Sequence, residues 1–187
     1  MGMLLSFIPW FLFWVLLSMR KPEPAALSGF FCTLIFILIE KVKGRSVKIL
    51  NIGTLVFFLA LSVLALFTEL EWFGHWVSLW SNLSLTLIAL VSIVIGKPFT
   101  IQYAKEQAPQ EVWNSPKFLR VNYIISWVWF SAFLVNLVPS VSRLLGREIP
   151  NSLGLVFSIL PFLVAIKFTQ WYSHRKDKGP SLGKNKI

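Results

Sequence analysis

Apolar residues in this chain gather into six long runs separated by short polar stretches, at roughly 3–19, 25–40, 49–68, 75–95, 117–138 and 152–172. A bilayer core about 30 Å thick takes about 20 helical residues, with a range of about 17–25, so the last four runs are long enough to cross and the first two are marginal. Backbone in lipid must satisfy its own hydrogen bonds, which restricts spanning structure to helices and closed barrels. Barrel strands would alternate over about 10 residues, whereas Leu55 to Phe67 is interrupted only by Ser62. The pattern predicts an all-α polytopic helical bundle of five or six spans, forming one domain over 1–172. The stretch 173–187 is polar, basic and aperiodic, and is expected to be a disordered cytoplasmic tail.

Composition agrees with lipid as the solvent: 56% of residues are hydrophobic and only 14% charged, against about 25% charged in a soluble domain. The net charge of +10 could suggest nucleic acid, but the basic residues lie almost entirely between the apolar runs, where retention of Lys and Arg in cytoplasmic loops is the simpler cause. No nucleic-acid partner is expected. Arg20, Lys21, Arg143 and Arg147 fall on one side. The other fourteen of the 18 basic residues, including Lys41, Lys43, Arg45, Lys48, Lys97 and Lys105, fall on the opposite side. The asymmetry predicts cytoplasmic N- and C-termini in the six-span reading. Segment 1 alone strains this, because Arg20-Lys21 directly follows it, and Pro9 and its bare length leave open a five-span variant in which it lies in the interface or re-enters. The stretch lacks the basic start and the cleavage site of a signal peptide.

The connection at 97–116 is the longest between runs. Pro98 can open a short helix, with Phe99, Tyr103 and Trp113 dipping into headgroups while Lys97 and Lys105 stay in water. Ser115-Pro116 reads as an N-cap followed by proline at the first helical position, so the fifth run begins early. Lys97, Pro98, Phe99, Tyr103 and Trp113 form the candidate partner-docking surface.

Charges inside spans mark function in membrane proteins because each costs at least about 2.5 kcal/mol at the bilayer centre. Here Glu40 and Lys167 lie near span ends and read as interfacial. Uncharged polar residues are more plentiful. Ser78, Asn82 and Thr86 share one face of the fourth span, and Asn122, Ser126 and Asn136 lie on the fifth. Such faces usually pack helices through interhelical hydrogen bonds; a solute or lipid-headgroup path is the sharper alternative. With two His and one Cys, Cys32, no metal site, cofactor site or catalytic constellation is assembled, and no enzymatic activity is expected. Glu69 and Glu71 beside Trp72, Trp76 and Trp80 read as a solvated rim.

Some residues carry a likeness beyond this inventory: Phe7-Ile8-Pro9, Ala25-Ala26-Leu27, the basic connection from Lys41 to Lys48, Lys97-Pro98-Phe99, Val112-Trp113, and Asn122, Trp127, Phe133 and Asn136. In these the chain resembles the YciB or intracellular septation protein A family of bacterial inner-membrane proteins. Gln102 to Gln107, Ser115-Pro116 and the basic tail depart from that pattern and leave open a related family of similar architecture. The resemblance implies a multi-pass inner-membrane protein of cell-envelope maintenance, division or elongation, acting through other membrane proteins. The alternative is a small-solute or lipid transporter using the polar faces of spans 4 and 5. Beyond the bilayer and such protein partners, the residues do not specify an oligomeric state.

Overall fold

The computed structural model describes residues 2–19, 21–67, 70–147 and 149–177. These form α1 (Ile8–Ser18), α2 (Pro22–Val42), α3 (Ile49–Phe67), α4 (Leu70–Val94), α5 (Phe99–Lys105), α6 (Pro116–Leu144) and α7 (Asn151–Asp177). A 3-10 turn, Met3–Phe7, precedes α1, and another, Gln110–Val112, precedes α6. There is no strand among the described residues. Five helices, all but α1 and α5, are long and apolar enough to cross a membrane, so the chain is a multi-pass helical bundle.

Local chemistry explains several boundaries. The Ser115 hydroxyl accepts the Phe118 N–H at 3.2 Å and Pro116 starts α6, as the sequence predicts. Helices α2 and α4 end alike. Gly44 and Gly96 take positive φ, and the residue after each donates its N–H back to the last turn, Arg45 to the Glu40 carbonyl and Lys97 to that of Ser92. Only glycine adopts that left-handed cap without steric penalty. At the other end of the chain α7 continues through His174 to Asp177, which corrects the expectation of disorder from 173 onward. Cations are favourable in the last turn of a helix, where the carbonyl end of the dipole is negative. The rest of the tail, 178–187, and Glu69 lie outside the described residues, as do the side chains of Glu71 and Trp72.

The marginal first segment packs one side against the bundle, burying Ser6, Pro9, Trp10 and Phe13, and leaves its other side open, with Phe11 72% exposed. Ser6 meets Tyr103, Trp10 Nε1 donates to Thr54 Oγ1 at 3.1 Å, and the Phe13 ring meets Phe58 at 5.3 Å, so α1 runs parallel to α3. Helix α2 then returns antiparallel, bringing Gly29 against Phe58 and Glu40 beside Asn51. Five 3-10 residues at about 2.0 Å and eleven α-helical residues at about 1.5 Å give a segment about 26 Å long, close to the thickness of the hydrocarbon core. Pro9 sits in the first turn of α1, where its missing N–H has no helical partner to lose. Phe7 stacks on Trp129 of α6, and Trp10 stacks on Phe57 of α3. The segment therefore wedges the two halves of the bundle together.

Chain connectivity places the Ser6 end of segment 1, the α2–α3 turn, α5 and the end of α7 together at one end of the bundle. We call it the α5 end. Helix α7 is the outlier. It packs along α6 through Phe162 and a Trp129 Nε1 to Thr169 Oγ1 bond of 3.0 Å, and its other faces, including Leu155, Leu160 and Val164, are exposed.

The tightest helix approach supplies a test. A Cβ at Gly29 would lie 2.6 Å from the Phe58 ring, which is fully buried and boxed by Trp10, Phe13 and Phe57. Gly29→Leu is expected to destabilise the bundle by about 1–3 kcal/mol, the usual cost of overpacking. Gly154→Leu, which meets nothing within 4 Å, leaves the melting temperature in detergent unchanged.

Candidate functional site

Charged side chains from the α2–α3 turn and α5 meet at the α5 end. Glu40 closes the last turn of α2, the chain reverses at Gly44, and Lys48 immediately precedes α3. This turn folds the Lys48 ammonium back onto the Glu40 carboxylate, and both side chains are 1% exposed. Asn51 Nδ2, one turn into α3, donates to the other Glu40 oxygen at 3.1 Å. Lys48 Nζ also lies 2.9 Å from Glu106 Oε1 and 5.2 Å from the centroid of the Tyr103 ring. Arg45 approaches the second Glu106 oxygen at 3.9 Å. Gln102 Oε1 accepts the Ile49 N–H at 2.7 Å, occupying a donor that the first turn of α3 cannot satisfy itself. The short helix α5 is thus bolted to the α2–α3 turn by Gln102, Tyr103 and Glu106.

The electrostatics follow from desolvation. A buried ammonium without a partner costs several kcal/mol; here the Glu40 and Glu106 carboxylates both accept from it, and Asn51 donates to the second Glu40 oxygen. At Glu106 partial burial pushes the carboxyl upward, but hydrogen bonds and positive charge, with Lys48 first among their sources, together hold it below its ordinary value. Burial raises the Tyr103 phenol strongly; its hydrogen bond with Ser6 opposes this, and the Glu40 and Glu106 charges add to it. Tyr103 therefore stays protonated and donates to Ser6 Oγ at 2.8 Å.

The docking surface expected from the sequence is reshaped. Phe99 and Tyr103 are 0% and 4% exposed and Pro98 is buried as well, so none of the three reaches headgroups. Their helix lies against α6, where Thr100 Oγ1 bonds Ser126 Oγ at 2.7 Å and the Asn122 carbonyl at 2.9 Å, and α5 acts as a plug. Lys97 is exposed. Trp113 is half-buried, donates its indole N–H to the Ala108 carbonyl at 2.9 Å, and carries Lys105 Nζ 5.1 Å from its ring centroid. Glu40, read as interfacial from its span-end position, is in the core. Its one local signal is an acid in the last turn of an otherwise apolar span, eight residues before a lysine. Lys167 is exposed, as a snorkelling lysine would be.

The polar faces of α4 and α6 are occupied by the protein itself. Ser78 meets Ser140 across the two helices at 3.0 Å. Asn82, Thr86, Asn122 and Asn136 instead bond carbonyls one turn back on their own helices. Among the described residues every buried side-chain nitrogen and oxygen has a partner. Two cavities open at the α5 end. One of about 540 Å³ lies between α5, α6 and α7 and reaches Asn122, Ile125 and Thr169. The other, about 570 Å³, is a groove lined by Arg45, Lys97, Lys105, Glu106 and Trp113.

Comparison with known proteins finds no matching family model, no matching curated protein and no matching solved structure.

Removing Lys48 leaves two carboxylates facing each other, so Lys48→Met is expected to destabilise the bundle by about 3–5 kcal/mol in detergent unfolding. Glu106, whose carboxyl lies below its ordinary value when folded, stabilises above the ordinary carboxylate pKa. That contribution is lost as pH falls through the lower folded value. The melting-temperature gap between the native chain and Glu106→Gln should therefore be wide at pH 7 and shrink toward pH 3.

Proposed function

We propose that this is a non-enzymatic multi-pass protein of a bacterial inner membrane, with its α5 end in the cytoplasm, and that it acts by contacting other membrane proteins of the cell envelope. The observation that carries this reading is the use of the interior. Polar side chains inside the bundle bond one another or their own helices, which leaves the surface to act. At the α5 end that surface is built on a rigid base, because the buried ion cluster fixes the α2–α3 turn against α5. Exposed Lys97, half-buried Trp113 and the 39% exposed Val112 stand on this base. The cytoplasmic assignment rests on the concentration of Lys and Arg in the connections at that end. The role in envelope maintenance, division or elongation rests on the resemblance of Lys97-Pro98-Phe99, Val112-Trp113 and the polar positions of α6 to the septation proteins.

A photo-crosslinking residue at Val112 is expected to give a discrete protein adduct in native membranes, and Lys97→Glu to weaken it. The same probe at Leu155, on the outer face of α7, should give lipid adducts. Absence of any specific protein adduct from Val112 overturns the proposal.

The cavity reaching Asn122 and Ile125 favours a second reading, a small-solute or lipid transporter. That reading needs the cavity to extend past Trp129, which is buried and stacked on Phe7. It predicts solute or lipid flux in proteoliposomes that Asn122→Leu abolishes.

A further inference from the structure

We propose that the groove between the α2–α3 turn, the α4–α5 turn and the end of α5 is a binding site for the phosphate headgroup of an anionic phospholipid. Two helices end side by side there in the same way, each with a left-handed glycine followed by a cation: Gly44-Arg45 after α2 and Gly96-Lys97 after α4. The cap carbonyls of Glu40 and Ser92 already accept the N–H groups of Arg45 and Lys97, so the side-chain cations rather than free carbonyls dominate the field in the groove.

Charge in the groove is unbalanced. Arg45, Lys97 and Lys105 line it with one carboxylate, Glu106, and that carboxylate is already bound by Lys48 from beneath. Among the described residues neither Lys97 nor Lys105 pairs with a carboxylate. Lys105 instead rests on the Trp113 ring, which holds its ammonium over the groove without neutralising it. The groove of about 570 Å³ falls within the range of about 300–1,000 Å³ typical of small-ligand sites.

Its position selects a lipid over a soluble anion. The residues just before the two glycine caps are strongly exposed and apolar: Val42 is 88% exposed, Val94 75% and Ile95 54%. A headgroup phosphate between Lys97 and Lys105 leaves its acyl chains to run down this apolar flank, and basic pockets between spanning helices are a known setting for anionic lipid. The site stands on this geometry alone and requires no protein partner.

The test uses the full chain purified in a neutral detergent. Titration with phosphatidylglycerol in mixed micelles, followed by native mass spectrometry and thermal melting, is expected to show saturable binding of one lipid with a rise in melting temperature. Phosphatidylcholine and inorganic phosphate should do neither. The double variant Lys97→Gln/Lys105→Gln should bind phosphatidylglycerol at least tenfold more weakly while melting like the native chain without lipid. Lys97→Arg should retain binding, and so should Lys167→Gln on exposed α7. Equal binding by the double variant, equal retention of phosphatidylcholine, or the same stabilisation by inorganic phosphate would each overturn the proposal.

Discussion

An ammonium 1% exposed has to be compensated inside the protein, and the rest of the α5 end is arranged around that need. Glu40 alone would leave Lys48 held by a single turn. Glu106, fifty-eight residues further along, makes the compensation long-range, so the α2–α3 turn and α5 must sit together for either to be stable. Once α5 is fixed there, Tyr103 reaches Ser6, Thr100 reaches Ser126, and Phe99 fills the space beneath. One buried cation thereby couples segment 1, α2, α3, α5 and α6.

Segment 1 supplies the second constraint. Lipid offers little hydrophobic drive for helix association, so helices hold together through close packing and interhelical bonds. Aromatic side chains give the most contact per residue, and segment 1 directs Phe7 to one half of the bundle and Trp10 and Phe13 to the other. A helix that looks too short to span is thus placed where its buried side reaches both halves, while Phe11 and Val15 on the other side stay exposed. Its 3-10 start gains length from the greater rise per residue, and the same turn presents Ser6 to Tyr103.

Much of this architecture is legible in the sequence, because span existence follows from run length and helix starts from local caps such as Ser115-Pro116. The role of the polar stripes as packing elements is partly legible. Ser78 and Ser126 do bond across helices, whereas Asn82, Asn122 and Asn136 turn to carbonyls of their own helices, a choice local spacing does not reveal. The burial of Phe99 and Tyr103 is not legible. A short amphipathic stretch with aromatic and basic residues has the same pattern whether it faces headgroups or plugs a bundle, and the deciding partners, Lys48 and Ser126, are distant in sequence. Glu40 misleads for the same reason: an acid at a span end is usually wet, and only the fold supplies the lysine that lets it be buried.

Helix α7 and the α5 end differ in how firmly they are held, and that difference bears on where function resides. Helix α7 is attached along a single neighbour and exposes most of its length, as suits a helix whose other contacts are lipid. The α5 end is cross-linked by charge, by the Tyr103–Ser6 and Thr100–Ser126 bonds, and by the Gln102 cap on α3. A surface that must recognise something gains from fixed geometry, because less conformational freedom is lost on binding. Lys97 and Lys105 are held above a foundation that cannot shift without exposing Lys48 to an unpaired state. Recognition by this protein is therefore expected at the α5 end, with the apolar flanks serving to hold that end at the depth where lipid meets water.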